Sequence, residues 1–486
     1  MNKYKILIIA IFTKIIQISY LFYYCIPNPT SDATFYKQAA INLLKNNKFN
    51  FSSGIGEIPH ASEIFAVYPP IYPLLNYLNF SFFEVSLFSS NGLDLLIHTI
   101  LVILVTYLIW DFSFFSIGGL IFFIFSTLFI FPIGRPDELG AMFFIAAFLS
   151  IKKAKIKSLG YIFLALSIAT SPFQGLLGLL LVSIFFLHKM NVKDAFKVIF
   201  YYFLICIPLA ILFSGPAFDF RYFDAAEQFF SHLGFRSKPS ILDFFSKFLI
   251  QTVFVITIIF INNYYLMLRP KNSRIINLDL KCLIIFINLS FVLLIILKHH
   301  YYALRPSIYI SLAILLYQLD LKLTNYFKIK TKSIIKVAII LIFLIPFTLV
   351  RGRIYFTPLF WNDKNLNYSA ALKIIEEKIP KDSFILTSPE FYFMNNYIKN
   401  ENIRYYKNID YVMPDYIVSL RKWGSGGKAA MPNHIREIVS NQYELLYSPK
   451  NFPTQKNFFQ KTIKISDNRI DFSPFIWRRS LIENVE

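Results

Sequence analysis

Apolar residues gather into long runs separated by short polar connections. The runs are Tyr4–Tyr24, Ser86–Trp110, Phe112–Phe131, Glu138–Ile151, Ser158–Thr170, Pro172–Leu187, Phe196–Ser214, Ser246–Leu268, Leu280–Leu297, Ala303–Leu319 and Ile334–Val350. Crossing a bilayer as a helix takes about 20 residues, so most of these runs predict membrane spans. The runs starting at Glu138, Ser158 and Pro172 are shorter. Pro172 lacks the N–H that a continuing helix needs, and it predicts a break between the fifth and sixth runs. The pattern as a whole predicts a mainly α, polytopic helical bundle of about 11 spans over residues 1–350.

Charge orients the bundle. Lys152–Lys157, Lys189 with Lys193 and Lys197, Arg269–Arg274 and Lys322–Lys336 fall in alternate connections. Positive residues collect in cytoplasmic loops, so the N-terminus is expected inside. Lys3 and Lys5 precede the first run as in a signal peptide. That run is long and has no small-x-small cleavage site, so it is expected to remain as a span. The protein is then a multi-pass protein of the inner (plasma) membrane. Two larger connections fall outside, a first outer loop at 26–85 and a second at 215–245. Asp32–Leu44 in the first loop has Phe35, Ala39, Ala40, Leu43 and Leu44 on one face, the pattern of a helix lying on the membrane.

An odd number of spans puts residues 351–486 outside as well. This tail is more polar. Ser369–Lys378 and Asn433–Asn441 read as helices. Ser383–Thr387, Ile403–Tyr406, Tyr416–Leu420 and Glu444–Tyr447 read as short strands. The expectation is a small extracytoplasmic α/β domain. Lys422–Met431 holds Gly424, Gly426 and Gly427 but no phosphate-loop spacing.

Composition narrows the class. The 486 residues are 56% hydrophobic and only 16% charged, too little charge to coat a soluble protein of this size. The net charge of +20 would suggest a nucleic-acid partner in a soluble protein. Here the cations are topology signals, and nucleic acid is excluded as a partner. Cys25, Cys206 and Cys282 form neither a disulfide framework nor a metal-type spacing.

The candidate chemistry sits at the outer surface. Asp32 follows the first span and is either a helix cap or a general base facing a membrane-borne substrate. Arg135-Pro136-Asp137-Glu138 joins two spans. It reads as a helix start, with acids favoured by the dipole, or as a second acidic site opposite Asp32. Lys298-His299-His300-Tyr301-Tyr302 with Arg305 forms a cationic turn suited to a phosphate, or an interfacial anchor. Glu57, His60 and Glu63 precede Tyr68-Pro69-Pro70 and could contact a sugar or coordinate a divalent metal. No cofactor is certain. Arg221, Asp224 and Glu227 in the second loop are candidate acceptor contacts.

These segments together resemble the GT-C superfamily of integral membrane glycosyltransferases. The branch is that of the protein O-mannosyltransferases and lipid A aminoarabinose transferases. The likeness is carried by Asp32-x-x-x-Tyr36-x-x-x-Ala40, Tyr68-Pro69-Pro70-Ile71-Tyr72 and Arg135-Pro136-Asp137-Glu138-Leu139. Thr170-Ser171-Pro172 with Gly175-Leu176-Leu177, and His300-Tyr301 with Arg305-Pro306, add to it. Two positions depart from the family. Ala33 replaces a second acid beside Asp32, and Ser171 stands where a lysine is often found.

The resemblance implies inverting transfer of a sugar from a polyprenyl-phosphate donor to an acceptor hydroxyl on a glycan, lipid or protein. It makes Asp32 the base and Tyr36, Asp137 and Glu138 neighbours of the acceptor. Arg135, His300 and Arg305 would hold the donor phosphate, with Glu57, His60 and Tyr68 in the substrate loop. The rivals are a transporter or flippase for a lipid-linked saccharide, a polysaccharide polymerase or ligase, and an inactive scaffold. A transporter should carry its charges near the bilayer midplane.

Overall fold

The computed structural model describes residues 11–12, 14–19, 31–50, 60, 63–66, 68–110, 134–153, 157–235, 278–297, 368–387, 403–405, 413–420, 433–448 and 474–480, with 256, 260, 263, 307–308, 310–311 and 314. The expected spans at Phe112–Phe131 and Ile334–Val350, the turn with His300 and Arg305, and Glu57 lie outside these residues. So do most of Ser246–Leu268 and Ala303–Leu319.

The protein is mostly helical with one small sheet. The helices that share its largest apolar core are α3 (Leu87–Trp110), α4 (Pro136–Lys153), α5 (Lys157–Thr170), α6 (Pro172–Lys189), α7 (Val192–Ser214) and α9 (Leu278–Leu297). They are preceded by α1 (Ser31–Asn46) and α2 (Ile71–Phe83), while α8 (Tyr222–Phe235) follows α7. Among the described residues, three helices are long and apolar enough to cross a membrane: Phe88–Leu108, Pro172–Lys189 and Val192–Phe218. Ser158–Thr170 and Lys281–Leu294 are apolar but shorter.

Local signals explain the boundaries. Ser171 is extended between α5 and α6, and Pro172 opens α6 where no N–H is required. Asn191 caps α7 by accepting the Asp194 amide at 2.9 Å. One apolar core joins α3 to α7 and α9, with Phe144, Phe148, Leu177 and Phe286 fully enclosed. Small residues let these helices approach closely. A Cβ on Gly178 would stand 2.7 Å from the Cβ of Phe144 and 2.6 Å from Leu164.

The tail holds α10 (Tyr368–Lys378), α11 (Asn433–Gln442) and strands β1 (Ile385–Thr387), β2 (Ile403–Tyr405), β3 (Tyr416–Leu420), β4 (Tyr443–Tyr447) and β5 (Pro474–Arg479). The first four lie where short strands are expected; β5 has no counterpart in the sequence reading. The sheet order is β2-β1-β3-β5-β4. β1 runs parallel to β2 and β3, and β5 runs antiparallel to β3 and β4. Alternation along the strands gives two apolar faces. Leu386, Ile417, Phe475 and Trp477 face Val439 of α11. Ile385, Val418 and Ile476 face Ala371 and Ile375 of α10, and the same cluster takes in Ala40 and Ile41 of α1 and Phe80 of α2.

That contact corrects the reading of Asp32–Leu44 as a helix lying on the membrane. Every residue of α1 from Tyr36 to Asn42 is buried. Tyr36 packs with Tyr72, Leu93 and Leu139. Ala39 meets Phe65, Ala66, Ala217 and Ala225. From Tyr36 to Asn42 the helix is covered by protein on all sides and has no face left for lipid.

Candidate functional site

α1, α2 and α3 are tied together by one carboxylate. The Lys37 ammonium lies 2.6 Å from Asp94 Oδ2 and donates to Ser90 Oγ at 2.6 Å. The Tyr72 hydroxyl donates to Asp94 Oδ1 at 2.5 Å. Burial, reinforced by the Asp94 carboxylate, holds the Tyr72 phenol well above its usual range, so it remains a donor. All four side chains are buried. In such surroundings a charge pair is tolerable only when its remaining hydrogen-bonding capacity is used, as the two oxygens of Asp94 are here.

Ser90, Asp94 and His98 follow one another at four-residue spacing, so they share a face of α3. His98 Nδ1 lies 3.5 Å from Glu138 Oε2, with both residues buried. Lys14, in the helical stretch 14–19, acts electrostatically on Glu138. His98 stands 11 residues after Leu87, about 16 Å along α3, yet it meets the first turn of α4.

The turn into α4 carries the second part of the site. Gly134 takes φ 66°, a left-handed turn that L side chains disfavour, and leads into Arg135. Arg135 Nε donates to Asp137 Oδ2 at 3.1 Å, and Ser171 Oγ donates to Asp137 Oδ1 at 3.3 Å. The Arg135 guanidinium stands 6.0 Å from the centre of the Tyr36 ring. α4 approaches α6 closely: a Cβ on Gly140 would lie 3.0 Å from Gln174 Cβ and 3.1 Å from Ser171 Cβ. Ser167 donates to the Gly140 carbonyl at 2.8 Å.

The Tyr68-Pro69-Pro70-Ile71-Tyr72 segment closes over Tyr36. The Tyr36 ring is 4.5 Å from Tyr68 and 5.8 Å, edge-on, from Tyr72. Proline at 69 and 70 stiffens the approach to α2, which begins at Ile71.

A separate, exposed cluster joins the two outer-loop segments. Arg221 Nη1 is 2.6 Å from Glu63 Oε2, and Arg221 Nε donates to Asp224 Oδ2 at 2.6 Å. His60 Nδ1 is 3.8 Å from Glu63 and His60 Nε2 is 3.5 Å from Glu227. The Arg221 hydrogen bond and charge hold the Glu63 carboxyl below its usual range. Beneath them Gln228 is buried. It accepts from the Ala66 amide and donates to the Ile64 carbonyl at 3.1 Å.

Of the sequence-derived residues, Tyr36, Tyr68, Arg135, Asp137 and Glu138 gather at the start of α4, and α1 places the Asp32 backbone one turn before Tyr36. His60 lies in the exposed cluster instead. His300, Arg305 and Glu57 lie outside the described residues. Among the described residues no group of three or more His, Cys, Asp or Glu could hold a metal ion. Lys37, Asp94 and His98 were not singled out from sequence. Their signal was present: two ionisable residues four apart inside an otherwise apolar run of membrane length.

No protein-family model matches the sequence, and no curated protein matches it. Among solved structures, the oligosaccharyltransferase of Archaeoglobus fulgidus in complex with Zn and sulfate aligns with 90% of this chain and 72% of its own, at 12% identity and a TM-score of 0.46. A likeness that distant carries no argument about this chain's chemistry.

Proposed function

We propose that the protein is a membrane glycosyltransferase of GT-C type. It moves a sugar from a polyprenyl-phosphate donor to an acceptor hydroxyl at the extracytoplasmic face of the bacterial inner membrane. In this reading Asp32 takes the acceptor proton. The acceptor oxygen attacks the anomeric carbon, the bond from that carbon to the phosphate oxygen breaks, and the phosphate leaves with the electron pair, inverting the centre. Arg135, with His300 and Arg305, supplies positive charge to the leaving phosphate. Tyr36, Asp137 and Glu138 flank the acceptor.

One observation carries the reading. The helix that begins at Ser31-Asp32 is enclosed from Tyr36 to Asn42 and is fastened to α3 through Lys37 and Asp94. A base gains most when its scaffold is rigid, because misplacement by about 1 Å costs on the order of 100-fold in rate. In the test, purified protein in nanodiscs is incubated with a panel of polyprenyl-phosphate sugars and a lipid and glycan extract. Released polyprenyl phosphate is measured by mass spectrometry. Release that is lost in Asp32→Asn, with the melting temperature kept, supports the reading. Full release by Asp32→Asn removes Asp32 from the mechanism.

A transporter of lipid-linked saccharides is favoured by one observation, the His98–Glu138 contact midway along the Phe88–Leu108 span. Movement of a fluorescent lipid-linked saccharide between leaflets in vesicles, without breakage of the sugar–phosphate bond, would select it.

A further inference from the structure

The polarity of α8 is inverted relative to a helix packed on a soluble protein. Its inward residues are Ala225 and Gln228, which meet the first loop at Ile64 and Ala66. Its outward residues include Phe223, 92% exposed, and Phe230, 67% exposed, seven positions apart and so on one face. Phe220, just before the helix, is also exposed. An aromatic stripe of this kind needs an apolar cover.

The start of α8 is pinned at the depth where α7 ends. The Tyr222 hydroxyl donates to the Ile211 carbonyl at 3.3 Å, three residues before the end of α7 and so about 4.5 Å inside it. Asp219 and Phe220 take φ values of 50° and 58°, two left-handed residues in succession that turn the chain back toward α7. Glycine at position 215 leaves room for the Tyr222–Ile211 contact, since a Cβ there would stand 2.3 Å from the Tyr222 oxygen. α7 is only 17% buried along its apolar window, and Ile211 and Leu212 near its end are exposed. The exposed aromatics therefore follow directly on the exposed apolar end of α7.

We propose that α8 lies in the membrane interface as an anchor, with Phe220, Phe223 and Phe230 inserted into the leaflet in which α7 ends. The occupant of the stripe is lipid. Interfacial helices bury an apolar face at the headgroup–acyl boundary and keep the opposite face polar. The face away from the stripe is spent on protein: Arg221 holds Glu63 and Asp224, and Gln228 grips the first-loop backbone, while Glu227, four positions after Phe223, borders the stripe and meets His60. The anchor therefore fixes the first loop against the bilayer surface. This holds whether the protein transfers a sugar or moves a lipid.

Nitroxide labels test it in the full chain, reconstituted in vesicles of phosphatidylcholine and phosphatidylglycerol. The background is Cys25→Ser, Cys206→Ala and Cys282→Ala, and labels are attached in turn to Phe223→Cys, Phe230→Cys and Lys373→Cys. Lys373 is the aqueous control, with its side chain 77% exposed on α10. Collisions with oxygen and with a water-soluble nickel chelate are measured. The labels at 223 and 230 are expected to favour oxygen, reversing the ratio found at 373. Either position decides alone if the other variant misfolds. A ratio like that at 373 overturns the proposal, and so does shielding from both reagents, which would place protein rather than lipid over the stripe.

Discussion

The two polar clusters use the same chemistry and differ in burial. In one, Lys37, Asp94 and Tyr72 are sealed between three helices. In the other, Arg221, Glu63, Asp224 and His60 stand in water. The Lys37–Asp94 and Arg221–Glu63 contacts are both 2.6 Å. The sealed pair has no water to replace a lost partner, whereas the exposed one does. Contact distance therefore ranks neither cluster, and burial ranks both. The exposed cluster also has a buried component in Gln228, which satisfies two backbone groups that water cannot reach.

The comparison is broken most severely at Asp94. Asp94→Ala strands the Lys37 ammonium and the Tyr72 hydroxyl, and a loss of about 3–5 kcal/mol is expected. Thermal unfolding in nanodiscs would show it. The double variant Lys37→Met/Asp94→Leu should recover most of that loss, because no charge is then left unpaired. If Asp94→Ala melts like the parent, the sealed cluster is not the structural knot argued here.

Gln228→Ala should come next, at about 1–3 kcal/mol, since it leaves the Ile64 carbonyl and Ala66 amide without their partner. Hydrogen exchange at residues 64–66 should rise, while exchange in α3 stays as it was. Gly140→Val is expected to act on the α4–α6 contact in a similar range, about 1–3 kcal/mol, by pressing α4 away from Ser171 and Gln174.

The smallest effect belongs to the Arg221–Glu63 pair. Arg221→Ala should leave the unfolding temperature nearly unchanged. Its pH response has a definite sign. The folded Glu63 carboxyl titrates below its ordinary value, so its contribution is complete above the unfolded glutamate range and disappears as pH falls through the lowered value. Exchange of the 60–66 segment should accelerate in that acid window for the parent. In Arg221→Ala, where the cause of the shift is gone, the acceleration should set in at higher pH. A large pH response in α3 over the same window would contradict the ranking.

Hydrophobic periodicity and proline placement made most of the described helices legible. α4, α5, α6, α7 and α9 fall on the apolar runs within a few residues, and the α5–α6 break falls at Ser171-Pro172. Such features are local: a helix in lipid satisfies its own backbone, and a missing N–H is felt within one turn. Four of the five described tail strands were legible for the same reason, through β-branched and aromatic residues bounded by polar ones, and β5 was not. Tyr36, Tyr68, Arg135 and Asp137 were legible as candidates from their chemistry.

What the sequence left open was contact between distant segments. One apolar stripe, Ala39-Ala40-Leu43-Leu44, is compatible with lipid or with protein, because both remove it from water. The tertiary structure assigned it to protein, covering α1 with the sheet and with the two outer-loop segments. It left the aromatics of α8, Phe223 and Phe230, uncovered instead. Asp94 and His98 could be read as polar intrusions in an apolar run, but their partners Lys37 and Glu138 come from helices 57 and 40 residues away in the chain. Pairing over that separation depends on how the helices stack, and no local rule encodes it.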